Sequence, residues 1–290
     1  MFKYAVNTNT LPSDMPPGEV AKLAIDVGLD GIEWGLPKLD GAEKAIREMV
    51  QTTRDAGLGV VGFVNGGKMW KKEEMRRWAE VVGSVGGGSL RVAHPWIAWD
   101  YNESIHQGRS YQEIFKLAKD SLPHLMELGK AHGVRFLLEL HSGALTASAL
   151  AALRLMEGLD PRHIGVIYDP ANTVIEGNLR PRSEVEVLGK YLSYVHAKNV
   201  ACLFTGEFHE RPVRRAKWEY KTCPPAYGIV DYLEVMFALR LAAYDGWISF
   251  EEFFRGEDCA VRLKDSLAFL RECERQSPSA PQPPYTPFNE

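Results

Sequence analysis

The sequence predicts an α/β protein built as a single-domain (β/α)8 barrel, of the TIM barrel type, and three observations lead to that prediction. Short apolar segments alternate eight times with segments of helical, amphipathic spacing. No run of antiparallel hairpins interrupts the alternation, which is typical of a parallel sheet. The chain has 290 residues, a common length for one α/β barrel.

An open doubly wound sheet is the alternative arrangement for the same alternation. Such sheets often carry a glycine-rich, dinucleotide-binding loop directly after the first strand. In this chain Asn7-Thr8-Asn9-Thr10 stands at that place. We therefore favour the closed barrel.

The strands are predicted where bulky apolar residues form short runs between turn signals. Eight segments fit this description, at residues 2–8, 30–34, 58–64, 90–93, 134–142, 164–169, 192–198 and 247–252.

The helices are predicted from apolar residues spaced three and four apart. Several of them end at a glycine, such as Gly28, Gly57 and Gly133, which favours the left-handed conformation of a helix stop. The predicted helices are residues 19–27, 42–56, 73–85, 111–132, 147–157, 184–189, 229–243 and 258–274.

Two segments fall outside this pattern. Residues 201–227 are predicted to form a long polar loop, and long loops in compact domains are usually functional or disordered. The segment from Ser277 is rich in proline and is predicted to be an extended or disordered tail, with packing on a neighbouring subunit of a homo-oligomer as the alternative. The predicted boundaries are therefore 1–276 for the barrel domain and 277–290 for the Pro-rich tail.

Composition and charge argue against several classes of protein. Hydrophobic residues make up 45% and charged residues 25% of the chain, as in ordinary globular enzymes. A net charge of −4 and a pI near 6.1 disfavour a nucleic-acid partner bound through overall basicity. We see no signal peptide and no apolar stretch long enough to span a membrane, so no membrane partner is expected. Widely spaced cysteines without a C-x-x-C pair predict reduced thiols and a cytoplasmic location; they are Cys202, Cys223, Cys259 and Cys273.

Polar residues end the fifth predicted strand. Glu139 and His141 follow an apolar run, and they share one face because side chains alternate across a strand. In a barrel the carboxyl ends of all strands meet at one mouth, where the chemistry of such folds takes place. The next three strands also end in polar residues. These are Asp169 with Asn172 after the sixth strand, His196 with Lys198 in the seventh, and Glu251 with Glu252 in the eighth.

Parity along the eighth strand distinguishes its two glutamates. Ser249 shares a face with Glu251, whereas Ile248 and Phe250 share the other face with Glu252. The small serine suits the barrel interior, and the two large residues suit the layer beneath the helices. Glu251 is therefore predicted to point inward, and Glu252 to pair with a nearby lysine or arginine.

Taken singly, each of these polar residues has a structural explanation, such as a helix cap or a hydrogen-bonded core histidine. Gathered at one mouth, however, their negative charges would repel each other unless a cation neutralised them. Three carboxylates and one imidazole suit one divalent metal ion, which would be Mn²⁺, Mg²⁺, Co²⁺ or Zn²⁺. The set contains no thiolate, which disfavours a structural zinc site. The predicted metal ligands are Glu139, Asp169, His196 and Glu251.

These strand ends resemble the motifs of the xylose isomerase-like barrels, which include sugar-phosphate isomerases and epimerases, ketose 3-epimerases and inosose-processing enzymes. The resemblance extends to about residue 273 and implies the same four metal ligands. In the epimerases a histidine often stands where this chain has Asn172, and that departure also weakens an endonuclease IV-like assignment. The segments that carry the resemblance are Glu139-Leu140-His141, Asp169-Pro170-Ala171-Asn172, Val195-His196-Ala197-Lys198-Asn199, Gly31-Ile32-Glu33 and Tyr244-Asp245-Gly246-Trp247-Ile248-Ser249-Phe250-Glu251.

The resemblance implies a divalent-metal-dependent isomerase or epimerase of a sugar or keto-polyol. Glu139 and Glu251 would remove and return a proton next to the carbonyl, while the metal and Lys198 stabilise the enediolate. His141 would relay a proton or orient Glu139. The alternative is a lyase or dehydratase on the same site, similar to inosose dehydratases or to C-glycoside-cleaving subunits. A DNA-repair nuclease of the endonuclease IV type and a non-catalytic binding barrel are less favoured.

The expected partner is a small-molecule sugar or polyol. Aromatic rings near strand ends would stack on its apolar faces, although packing is the alternative explanation for each ring. His94 and Asn172 are predicted polar contacts. His209 belongs to a basic cluster in the loop 201–227 that would clamp a phosphate or carboxylate, with a solvated loop or an oligomer contact as the alternative. The aromatic candidates are Trp34, Phe63 and Trp96.

Overall fold

Eight parallel strands close into a barrel in the computed structural model, which describes residues 1–93, 95, 110–177, 180–210, 212–254 and 258–278. The predicted (β/α)8 architecture is confirmed. The strands, including two that form a hairpin, are β1 (Lys3–Asn7), β2 (Gly31–Gly35), β3 (Gly59–Val64), β4 (Gly88–Arg91), β5 (Val134–Glu139), β6 (Ile164–Tyr168), β7 (Leu192–Ala197), β8 (Asn199–His209), β9 (Arg215–Cys223) and β10 (Trp247–Phe250). Around the barrel the order is β1-β10-β7-β6-β5-β4-β3-β2.

The helices between the strands pack on the outside of the barrel. Ser110 and Glu113 form a reciprocal capping box at the start of the longest helix, and Gly133, at φ +67°, ends it. Those end signals explain why its sequence-predicted bounds match the structure. The helices are α1 (Pro17–Val27), α2 (Ala42–Asp55), α3 (Lys72–Ser84), α4 (Tyr111–His132), α5 (Ala149–Met156), α6 (Pro170–Ile175), α7 (Pro181–Leu188), α8 (Tyr232–Leu241) and α9 (Cys259–Gln276).

Alternation along the strands creates two apolar layers. The larger layer lies between the strands and the helices, and it contains Ile32, Trp34 and Phe63. A small inner cluster fills the barrel itself. Further along the same inward faces, towards the carboxyl ends, the side chains become polar. The inner cluster consists of Ala5, Val61, Leu137, Ile167 and Tyr194.

The predicted long loop at 201–227 is wrong, because most of it forms an antiparallel hairpin of β8 and β9. From Cys202 outward most hairpin residues are exposed, so neither face is covered by the barrel. An irregularity in the pairing between Phe204 and Phe208 interrupts the two-residue period of β8. That interruption hides the strand pattern of β8, whereas Trp218-Glu219-Tyr220-Lys221 of β9 alternates aromatic and charged residues, a strand signal that the loop prediction overlooks.

The structure also bears on the predictions about the cysteines, membrane-spanning helices and the C-terminal tail. All four cysteines are free thiols. Among the helices that the structure describes, none combines the length and apolarity that crossing a bilayer requires. Most of the Pro-rich tail, residues 279–290, lies outside the described residues.

Candidate active site

Four buried side chains meet at the carboxyl end of the barrel. Each offers one ligand atom, and these atoms lie within 4.8 Å of one another. All four side chains are almost completely shielded from solvent. The structure thus brings together the side chains that the sequence predicts as metal ligands, namely Glu139, Asp169, His196 and Glu251.

Local structure fixes the position of Asp169 in this cluster. It is the N-cap of α6, and its Oδ1 accepts hydrogen bonds from the backbone N–H groups of Ala171 and Asn172 at 3.0 and 3.1 Å. Its other oxygen, Oδ2, accepts a bond of 2.7 Å from the Asn172 amide. One carboxylate oxygen therefore orients the residue, while the other faces the cluster.

Two cations are buried beside the carboxylates. The Nζ atom of Lys198 lies 2.7 Å from Asp169 Oδ2 and 2.9 Å from Glu251 Oε2. The Arg91 guanidinium donates to Glu139 Oε2 and lies 4.0 Å from Glu251 Oε1. Sequence reasoning misses Arg91, although an arginine within the apolar run Leu90-Arg91-Val92 is a signal that could have found it.

A further buried carboxylate, Glu33 of β2, contacts His196 at the ring nitrogen that faces away from the cluster. Glu33 lies 3.0 Å from His196 Nε2, and it accepts hydrogen bonds of 2.6 Å from the hydroxyls of Tyr194 and Ser249. The other imidazole nitrogen, Nδ1, lies 3.2 Å from Glu139 Oε1 and 3.4 Å from Glu251 Oε2. Nδ1 is therefore the nitrogen presented to the cluster, as when a carboxylate orients a metal-binding histidine.

Electrostatic effects in this site are strong because water is excluded. Burial alone would lower the pKa of His196, but Glu251, Glu33 and Glu139 outweigh it and raise that pKa well above its ordinary value. Burial would raise the pKa of Glu251, yet the charges of His196 and Lys198 hold it below the usual range. Burial would likewise lower the pKa of Lys198, and the surrounding carboxylates raise it instead. The carboxylates of the site thus favour the cationic forms of His196 and Lys198, and these two side chains in turn favour the carboxylate form of Glu251.

The donor set and its charge fit a divalent ion. Within the described part of the site, four buried carboxylates (the three predicted carboxylate ligands and Glu33) surround the two permanent cations Arg91 and Lys198. One divalent cation would balance that charge with His196 in its neutral, ligating form. Oxygen-rich ligands with a single imidazole suit hard to borderline ions.

We expect Glu33→Gln to weaken divalent-ion binding by about 10- to 100-fold, the usual effect of losing a partner behind a metal ligand. The amide no longer fixes which nitrogen of His196 carries the proton. Isothermal titration with Mn²⁺ measures the change, and Tyr194→Phe, which removes one hydroxyl from Glu33, serves as the milder control. Unchanged affinity in Glu33→Gln would show that Glu33 only fills the barrel.

A cavity of about 820 Å³ opens beside the cluster. Lys198 and Asn172 line it on the side of the cluster, and His141 and Phe253 form other parts of its wall. His141 Nδ1 lies 2.8 Å from the carbonyl oxygen of Ser142, so the ring faces the cavity from outside the group of four. Asn172 thus both donates to Asp169 and lines the cavity.

The structure places three predicted substrate contacts elsewhere, and these predictions are corrected. Trp34 is buried between the strands and α2, where its indole N–H donates to Thr53 Oγ1 at 3.0 Å. Phe63 pairs with Trp34 across β2 and β3 and packs in the same outer layer. His209 lies exposed at the far end of the hairpin, opposite Arg215. The predicted contacts His94 and Trp96 lie outside the described residues.

Comparison with known proteins identifies the family. A family model described as xylose isomerase-like TIM barrel matches residues 21–273, which is most of the chain. The chain belongs to the xylose isomerase-like TIM barrel family. The membership agrees with the resemblance seen in the strand-end motifs.

Individual proteins are similar to the chain at low identity. The 3-dehydro-D-guloside 4-epimerase of Escherichia coli (strain K12) is 23% identical over 264 residues, covering 86% of this chain and 91% of that protein. An inosose dehydratase of Geobacillus thermodenitrificans (strain NG80-2) is 27% identical over 145 residues, covering 48% of this chain and 47% of that protein. The chain thus matches about half the length of that dehydratase. The crystal structure of 3-keto-D-glucoside 4-epimerase from E. coli superimposes with a TM-score of 0.73 at 21% identity, covering 94% of this chain and all of that one.

Proposed function

We propose that this xylose isomerase-like barrel is a divalent-metal-dependent epimerase or isomerase of a keto sugar or keto-polyol. The observation that carries the proposal is the pair Glu139 and Glu251, whose carboxylates reach one buried metal-type cluster from strands three apart in the barrel. Mn²⁺ is the first ion to test, because the ligands are mostly carboxylate oxygens with one imidazole.

Proton transfer next to a carbonyl needs a base, an acid and a cation near the developing oxyanion. A divalent ion in the cluster would supply Lewis acidity towards the substrate carbonyl and its neighbouring hydroxyl. Glu251, a carboxylate of the cluster that lies 2.9 Å from Lys198 Nζ, is the residue we assign to accept the proton from carbon. Lys198, a permanent cation that lines the cavity, is suited to stabilise negative charge on the substrate oxygen.

Glu139 is suited to the complementary proton transfer. It approaches the cluster from the side of Arg91, whereas Glu251 approaches from the side of Lys198. A proton removed by one carboxylate and returned by the other at the same carbon inverts that centre. Return at the adjacent carbon moves the carbonyl instead. We retain His141 as a candidate proton relay on the cavity wall, and Asn172 as a candidate substrate contact.

A dehydratase is the second candidate, and the partial match to an inosose dehydratase favours it. It would use the same proton removal, followed by departure of a hydroxyl group from the neighbouring carbon. The match to an epimerase covers more of this chain than the match to the dehydratase does, and this supports ranking the epimerase as the first candidate. The four free thiols support a reducing, cytoplasmic location.

Incubation of the Mn²⁺-loaded protein with ketoses, inososes and 3-keto-glucosides in D₂O tests the proposal. We expect deuterium at the carbon next to the carbonyl, together with an epimer or isomer detected by NMR. A product lighter by one water would establish the dehydratase instead. Absence of deuterium uptake from all three classes, in protein shown to contain the ion, would contradict both candidates.

A further inference from the structure

A second cavity lies beside the end of β10, on the side that faces α9. It measures about 540 Å³, and among the residues that the structure describes it shares no lining residue with the cavity beside the cluster. Phe253 lines the cavity beside the cluster, whereas the next residue, Phe254, lines this second cavity. We call the second cavity the outer groove. Its walls come from the turn that follows the hairpin and from α9, and they include Pro224, Tyr227, Phe254, Arg262, Ser266 and Phe269.

The outer groove combines aromatic walls with a floor that carries no net charge. Tyr227 is 78% exposed, and Phe269 is half-buried. On the floor, the charge of the buried Arg262 is balanced by the buried Glu252, with Nε and Oε2 3.3 Å apart. Asp265 also lines the groove but is exposed to solvent. Flat apolar groups and uncharged acceptors such as backbone carbonyls therefore suit this groove.

The end of α9 directs the chain that follows towards α8. Ser277 closes α9, and its carbonyl oxygen accepts a hydrogen bond of 3.0 Å from Arg240 Nη1 of α8. On the same face of α8, seven and three residues earlier, lie the 41% exposed Leu233 and the half-buried Phe237. The first residue of α8 packs its ring edge-on against Phe269 of the outer groove, with 6.4 Å between centroids. An apolar face of α8 therefore leads from the end of α9 back to the outer groove.

We propose that residues 279–290 fold back along this face of α8 and bind in the outer groove, with the rings of Tyr285 and Phe288 against its aromatic walls. The segment contains four prolines, and Glu290 is its one charged side chain. Proline-rich segments adopt the polyproline II conformation, which has no internal hydrogen bonds and binds in aromatic-lined grooves. The hydroxyls of Tyr227 and Ser266 are placed to donate to its backbone carbonyls.

The outer groove lies within reach of the end of α9. Phe269 and Arg262 belong to its wall and floor, and they precede Ser277 by eight and fifteen residues. At the rise of an α-helix these separations are about 12 and 22 Å. A segment that occupies the groove must therefore reverse its direction after Ser277 and then extend over about 22 Å.

The length of the Pro-rich segment matches this distance. A chain in the polyproline II conformation advances about 3.1 Å per residue. With the reversal made by residues 278–280, Tyr285 lies about 12 Å and Phe288 about 22 Å beyond Pro281. The two rings therefore arrive level with the two ends of the groove.

Attachment to α9 favours this segment over a separate partner. A binding segment on a short linker experiences an effective concentration in the millimolar range. Binding also connects the segment to the candidate active site, because Phe254 of the outer groove directly follows Phe253 of the cavity beside the cluster. The bound segment thus stabilises the chain after β10, which forms part of that cavity's wall.

A double-mutant cycle on the full chain tests the proposal. Tm is measured for wild type, Tyr227→Ala, Tyr285→Ala/Phe288→Ala and the protein with all three substitutions. We expect Tyr227→Ala and the double substitution each to lower Tm by about 2 °C. The triple variant should melt no lower than these, because both changes remove the same contact. Trp218→Ala, at another exposed ring that lies outside the groove, should shift Tm equally with either form of the segment.

Additive losses of Tm in the triple variant would overturn the proposal, because the groove and the segment would then act independently. An unchanged Tm in Tyr285→Ala/Phe288→Ala would overturn it as well. Light scattering distinguishes binding within one chain from binding to a neighbour, and we expect the same mass for wild type and this variant. A wild-type dimer that the double substitution dissociates would assign the groove to the segment of a second copy, against the proposal.

Discussion

Glu251→Gln is expected to lower turnover by about three orders of magnitude, within the range for loss of a general base. The amide cannot accept the proton, and it is a poorer ligand in the cluster. The change also removes a carboxylate partner from Lys198 Nζ, which lies 2.9 Å away in the native site. Stopped-assay kinetics with the substrate found by deuterium exchange measure the loss, and metal analysis of the same sample shows whether the ion is retained.

The neighbouring residue provides a matched control for this substitution. Glu252 is also buried, but it points to the other side of the strand, where its Oε2 lies 3.3 Å from Arg262 Nε. Burial raises the pKa of Glu252 to about 7. Glutamine keeps the size of this side chain and an oxygen that can face Arg262. Glu252→Gln should therefore keep turnover close to wild type. Equal losses in both variants would show that the effect of Glu251→Gln is structural.

Parity explains why most of the metal cluster is predictable from the sequence. Along β5 and β10 the side chains alternate regularly, so their apolar neighbours alone place Glu139 and Glu251 inside the barrel. The same rule applied to β2 places Glu33 inside and Trp34 outside. The prediction of Trp34 as a substrate contact rests instead on its residue type and its place near a strand end, and it is wrong for that reason.

In strand β3, the regular alternation of side chains does not predict which face each residue takes. The pairing with β2 shifts between Ile32 and Glu33, so that Ile32 pairs with Val60 but Glu33 pairs with Gly62. The extra residue, Val61, packs inside the barrel, and Phe63 is turned into the outer layer. Such an irregularity depends on contacts between strands, and no local feature of the sequence predicts it.

The partners of the cluster are the least predictable part of the site. Arg91 reaches Glu139 from a strand 48 residues earlier in the chain, and Glu33 reaches His196 across 163 residues. Each is a single charged residue in a short apolar strand, which by itself is also consistent with a solvated edge. Arg91 and Glu139 lie on the neighbouring strands β4 and β5, whereas only closure of the barrel, with β10 next to both β1 and β7, brings Glu33 to His196.

Removal of divalent ions with a chelator is expected to abolish turnover and to lower the melting temperature. An ion present at a hundredfold excess over its Kd stabilises the folded state by about 2.7 kcal/mol. For a chain of this size that corresponds to roughly 5 °C in Tm. The physical reason is the excess of buried carboxylates over the cations Arg91 and Lys198, because those carboxylates repel each other when no ion is bound. Thermal melts with and without added Mn²⁺ measure the shift.

Substitution of two buried carboxylates, one at each end of the barrel, shows whether the ion-dependent shift in Tm arises from the cluster. Asp169→Asn should abolish the ion-dependent shift in Tm, because the cluster loses a ligand and a negative charge. Glu274 accepts hydrogen bonds of 3.0 Å from the Phe2 backbone and the Tyr4 hydroxyl at the amino-terminal end, far from the cluster. Glu274→Gln should lower Tm in both conditions and keep the full ion-dependent shift. If the shift persists in Asp169→Asn, the stabilising ion binds somewhere other than the mouth of the barrel.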